Sequence, residues 1–132
     1  MRWVSVGLLF LCAATWAEPV TDVVVFTTSA YPIHDPEQRA TAIYALDATV
    51  QSLSALGEAL PRDPELAQAE VMRRLNDEQW RGRFSAVQHA LEGVSEAWMH
   101  NITRLPAVLV NDRYVIYGVT DVERALHFVE AL

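Results

Sequence analysis

Four histidines, one cysteine and no lysine bound the chemistry open to this chain of 132 residues. All ten basic residues are Arg. There is therefore no amine for a Schiff base and no phosphate-loop lysine. His34 beside Asp35 is the tightest acid–base juxtaposition. Adjacent residues ligate one ion poorly, and His89, His100 and His127 form no i,i+4 pair. His89 and His100 would stand about 16 Å apart on one helix, too far to share a metal. Ser29, Thr27 and Thr28 lie near His34, but no G-x-S-x-G elbow surrounds them. No G-x-G-x-x-G is present, and five glycines in the whole chain leave little to cradle a phosphate. Asn101-Ile102-Thr103 spells a glycosylation sequon, silent in an ordinary bacterial setting. The side-chain inventory predicts no catalytic residue, no metal and no cofactor, and hence a protein that is not an enzyme.

Composition narrows the class further. Hydrophobic residues make up 52% and charged residues 20%, the balance of one folded domain rather than a disordered segment. The net charge is −7, and no basic run exists to neutralise phosphates, so direct nucleic-acid binding is not expected. Residues 1–17 (MRWVSVGLLFLCAATWA) carry one Arg, then an apolar run, then small residues at Thr15 and Ala17. This is the pattern of a secretory signal peptide, too short to span a bilayer as a helix. Cys12 follows Leu9, Phe10 and Leu11, not the small residues of a lipoprotein box. Cleavage would leave a domain of residues 18–132, one unit more negative, without cysteine and without stable membrane insertion. Such a domain relies on its hydrophobic core alone.

The elements that must hold any site follow from periodicity. The stretch 23–28 (VVVFTT) reads as a strand buried on both faces, and 29–38, with two prolines, as a loop. Residues 40–46 read as helix or strand. Strand is preferred, with Asp47 then capping a helix from Ala48 to about Leu60. Asp63-Pro64 opens another helix. Trp80, Phe84, Val87, Leu91, Val94 and Trp98, spaced 4, 3, 4, 3, 4, form an apolar stripe on a long helix that ends near His100. That helix is either continuous with its upstream neighbour or broken at Asn76 and Asp77. The stripe is expected to face the core, with a partner helix as the other possible occupant. Arg73, Arg74, Arg81 and Arg83, interleaved with Glu70, Asp77 and Glu78, read as a solvated, salt-bridged face. Residues 107–110 and 113–117 form a hairpin about a two-residue Asn111-Asp112 turn. Thr120 and Glu123 then make a capping box for a last helix. One mixed sheet with helices packed on it is the predicted α/β architecture.

Leu105-Pro106, followed by an apolar strand, a hairpin, a glycine and a terminal helix, resembles the C-terminal half of a thioredoxin-like fold. The resemblance implies a mixed four-stranded sheet and a cis proline beside the site; the residues alone leave the isomer open. It sets Tyr31 and His34 at the two cysteine positions of the usual Cys-Pro-x-Cys motif, with Pro32 retained between them. The redox motif is thus absent, and with it the thiolate that disulfide exchange needs. The connection between the first two strands is also shorter than a full crossover helix requires. A second resemblance covers nearly all of 18–132. Arg104-Leu105-Pro106-Ala107-Val108 and the run from Asp112 to Val122 resemble exported proteins encoded in integrating conjugative elements, as do Tyr44 to Asp47, Leu60-Pro61 and Asp63-Pro64. This resemblance implies a periplasmic accessory or assembly protein of a conjugative type IV secretion apparatus, binding other envelope proteins rather than DNA. Its candidate partner-binding residues are Tyr31, Pro32, His34, Arg104 and Pro106. A periplasmic chaperone-like peptide binder on the same fold is the alternative. Oligomeric state is open.

Overall fold

The computed structural model describes residues 18–132. The signal-peptide reading falls on residues 1–17 and lies outside the described residues. Eight elements follow in order: β1 (Val23–Thr27), β2 (Ala42–Ala45), α1 (Ala48–Gly57), α2 (Pro64–Asn76), α3 (Glu78–Met99), β3 (Ala107–Val110), β4 (Tyr114–Tyr117) and α4 (Val122–Glu130). The strands form one mixed sheet in the order β2-β1-β3-β4. β1 runs parallel to β2 and antiparallel to β3, and β3 and β4 are antiparallel. The α/β class and the four-stranded mixed sheet are as expected, and 40–46 does contain a strand.

β1 and β3 are covered on both sides, which is why they read as unbroken apolar runs. Val23, Val25, Val108 and Val110 turn to one face, where Val122, Ala125 and Leu126 of α4 pack on them. Phe26, Ala107 and Leu109 turn to the other, where Ala97 of α3 meets them. α1 and α2 pack on α3. The parallel pair β1/β2 is joined by residues 28–41 without a helix. This stretch folds beside α4 instead: Ile33 and Ala40 pack on the α4-side cluster, His34 N–H donates to Thr120 C=O at 2.8 Å, and Val122 N–H donates to His34 C=O at 3.0 Å.

Several local readings are corrected. Asp47 does not cap α1; its carboxylate turns back to Ser29. The break that the sequence allowed at Asn76 and Asp77 is present: Asp77 ends α2 and opens α3, accepting from Gln79 and Trp80 N–H at 2.9 and 3.2 Å. α4 is capped by Asp121, which accepts from Arg124 N–H at 3.0 Å, and not by Thr120. The hairpin does turn through Asn111 and Asp112, both at positive φ, but Val110 pairs with Tyr114, so Arg113 belongs to the loop.

The largest correction concerns α3. Its buried residues are Val87, Ala90, Gly93 and Ala97, while Leu91, Val94 and Trp98 of the expected stripe face outward. Small residues win the sheet-facing side because they let the helix approach closely. A Cβ on Gly93 would lie 2.5 Å from the Tyr44 Cβ. The Tyr44 ring is held there between Phe26, 5.9 Å away, and His89, 4.8 Å away.

Candidate binding site at one end of the sheet

The parallel strands β1 and β2 end together, and the segments leaving them are tied to one another. Thr27 Oγ1 donates to Tyr31 C=O at 2.6 Å, and Tyr31 N–H donates to Thr28 C=O at 3.0 Å, closing a tight turn over 28–31. Ser29 N–H donates to both Asp47 carboxylate oxygens, at 3.1 and 3.0 Å, and Ser29 Oγ donates to the same carboxylate. Leu46 N–H donates to Thr27 C=O at 2.9 Å. The Ser29 hydroxyl and amide hold the Asp47 carboxyl below its ordinary pKa. The hydroxyls that were candidate nucleophiles, on Thr27 and Ser29, thus brace a turn.

This turn presents Tyr31 and Pro32, both exposed. Continuing the β1/β3 register by one step sets Thr27 opposite Pro106. The Leu105–Pro106 bond is cis, and Pro106 is buried, its C=O accepting from Gly118 N–H at 2.9 Å. Arg104 is exposed, its guanidinium 5.0 Å from the Tyr117 ring centre. His34 is exposed at its side chain, while its backbone bridges to Asp121. Tyr31, Pro32, Arg104 and Pro106 thus adjoin the strand ends where β1 stops and β3 begins, while His34 is held beside the start of α4. No group of three or more His, Cys, Asp or Glu arranged to hold a metal occurs among the described residues.

Three residues that organise this domain were misread or missed from the sequence. Asp47 links the two strand ends, and no local pattern distinguishes that from a helix cap. Asn111 clamps the entry to β1: its Oδ1 accepts from Thr21 and Asp22 N–H at 2.9 and 3.1 Å, and its Nδ2 donates to Pro19 C=O at 3.0 Å. Arg74 is only 5% exposed rather than part of a solvated face. Its Nε donates to Glu70 at 2.7 Å, and its two terminal nitrogens donate to Leu56 and Glu58 C=O at 3.0 and 3.1 Å. It also stacks 4.2 Å from the centre of the Trp80 ring. Arg74 thereby closes the carbonyl end of α1 that no basic residue of α1 itself could serve.

Comparison with known proteins adds one finding. A family model described as protein of unknown function, DUF1525, matches residues 20–132, which takes in all eight elements. No curated protein and no solved structure matches the chain.

Proposed function

We propose that this chain, which belongs to the DUF1525 family, is a periplasmic accessory or assembly protein of an integrating conjugative element's DNA-transfer apparatus. It works by binding other envelope proteins through the end of the sheet built from Tyr31, Pro32, His34, Arg104 and Pro106, and it carries out no thiol chemistry. The observation that supports the reading is the turn presenting exposed Tyr31 and Pro32, braced by Thr27, Ser29 and Asp47, next to the strand end that the register sets opposite Pro106. A pre-braced turn loses little entropy when a partner docks. The strand order β2-β1-β3-β4, with a hairpin and a terminal helix as its second half, supports a thioredoxin-like core whose first crossover helix has been replaced by the loop 28–41. The conjugative assignment rests on the resemblance of residues 104–108 and 112–122, and secretion rests on residues 1–17.

A pull-down from a donor strain carrying the whole element tests both parts. Wild type should recover type IV secretion components, and a Tyr31→Ala/Pro32→Ala variant should lose them. Recovery by both forms would keep the role and move the binding surface. Recovery of neither, with unfolded envelope proteins in their place, would replace this reading with a chaperone-like one. That second reading has its own support in the large apolar side chains exposed on α1 and α2, among them Val50, Leu53, Leu66, Met72 and Leu75.

A further inference from the structure

The C-terminal half of α3 exposes an apolar stripe of its own. Leu91, Val94 and Trp98 stand at i, i+3 and i+7 and are 46%, 42% and 82% exposed, with Met99 beside them at 58%. The side of α3 that packs on the sheet, Ala90, Gly93 and Ala97, lies about 100° round the helix. The stripe is therefore a second face of α3, not the ragged edge of the first. Phe84, Val87 and Leu91 line a shallow groove along it, rimmed by Glu92 and Glu96.

The charge on this face is of one sign. From Phe84 to Asn101 the sequence holds no Arg and no Lys. Among the described residues, the ion-pair partners of Glu92 and Glu96 are histidines only: His89 at 3.9 Å from Glu92 and His100 at 3.5 Å from Glu96. His100 also reaches Asp112 at 3.6 Å, a third carboxylate. Glu70 on α2 is different, held by Arg73 and Arg74. Burial first, then the nearby carboxylates of Glu92, Glu96 and Asp22, raise the Tyr44 phenol above its ordinary pKa.

An apolar seam bordered along one side by carboxylates that lack a strong cation fits a helix of opposite pattern, apolar on one face with Lys or Arg alongside it. A second copy of this face fits worse, because it would set Glu92 and Glu96 of one copy against those of the other. We propose that the Leu91–Trp98 face of α3 is a docking site for a cationic amphipathic helix of another protein. The inference rests on the reading of this chain as a binding protein, but not on the conjugative role, nor on the Tyr31 site.

The probe is a labelled amphipathic peptide of about 18 residues, long enough for five helical turns, with Leu at i, i+3, i+4 and i+7 and Lys elsewhere. A Glu-for-Lys counterpart and a scrambled peptide of equal composition accompany it. Fluorescence anisotropy with the purified protein should show binding of the Lys peptide and none of the Glu peptide. The scrambled form and the Trp98→Ala variant should each bind about tenfold more weakly, Trp98 being the exposed aromatic anchor. Glu92→Gln/Glu96→Gln should also lose about tenfold and flatten the salt dependence, while Glu37→Gln/Glu65→Gln, with the same charge change elsewhere, stays within about twofold. Trp98, Glu92 and Glu96 are partly or largely exposed, so thermal unfolding should report intact folding for these variants. Equal losses in the two charge variants, undiminished binding by Trp98→Ala, or a dimer in sedimentation that Trp98→Ala abolishes would each overturn the proposal. The donor-strain pull-down can fail without touching this result, since no component of the transfer apparatus enters it.

Discussion

Arg74 does several jobs with one planar group. It neutralises Glu70, terminates α1 through the carbonyls of Leu56 and Glu58, and covers Trp80, whose ring Arg83 also approaches at 4.6 Å. Removing the guanidinium takes a buried side chain from Trp80 and its donors from the carbonyls of half-buried Leu56 and exposed Glu58, so Arg74→Ala should cost about 1–3 kcal/mol in urea unfolding. Arg74→Lys keeps the charge without the fork and should recover only part of that loss. Glu70 gives the corresponding pH dependence. Hydrogen bonds from Arg73, then Arg74, lower its carboxyl from an ordinary 4.5 to about 2. A group depressed in the folded state contributes stability above its unfolded value and loses it as pH falls through the folded one. The contribution should thus be complete above about pH 4.5 and vanish towards pH 2. Glu70→Gln, which retains an acceptor, should flatten the acid limb of the stability curve within that window. The sequence showed Glu70 and Arg74 at i,i+4, and so their ion pair was legible. The carbonyls of Leu56 and Glu58 were not, because they belong to an element 16 and 18 positions away.

At the scale of elements, most boundaries could be read from local chemistry. Asp63 before Pro64 marks the start of α2 as expected, and Asn111-Asp112 marks the hairpin. Two features needed the tertiary structure. Thr120 looked like the cap of α4, but its C=O is committed to His34 N–H, and the chain takes its helical turn one residue later. Asp121→Ala should therefore cost about 1 kcal/mol of stability, and Thr120→Ala should cost much less, measured side by side by chemical denaturation. The other feature is the facing of α3. Large apolar residues at 4-3-4 spacing suggested the core side, yet Ala90, Gly93 and Ala97, spaced 3 and 4, hold it. The close passage over Tyr44 explains why small residues stand there. Gly93→Ala should force that ring aside and cost about 1–3 kcal/mol, lowering the melting temperature without changing the helix content in circular dichroism.

At the scale of the molecule, the class and the sheet were legible because each strand is a short apolar run: β1 and β3 are buried almost throughout, while β2 and β4, also apolar, are mostly half-buried at the sheet's edges. The choice of Tyr31, Pro32, His34, Arg104 and Pro106 as a binding surface came from resemblance, and that surface stands as a proposal. What the sequence left hidden was the bracing beneath it, since Ser29 with Asp47, and Thr27 with Tyr31, are contacts set by the fold's closure. No helix among the described residues is long and apolar enough to cross a membrane. Large apolar side chains stand exposed on α1, α2 and the outer side of α3.

The place of β1 between β2 and β3 has a consequence in time. β1 is the first strand to emerge from any machine that makes or moves the chain N-terminus first. Its antiparallel neighbour β3 follows about 80 residues later, because Phe26 pairs with Ala107. At roughly 5–20 residues per second of synthesis, Val23 to Phe26 wait on the order of 4–16 s for that neighbour. During the wait a run of three valines and a phenylalanine has one open edge and an uncovered face. The newborn chain thus passes through an interval with this apolar strand incompletely paired, and the clock of that interval is set by the length of α1, α2 and α3.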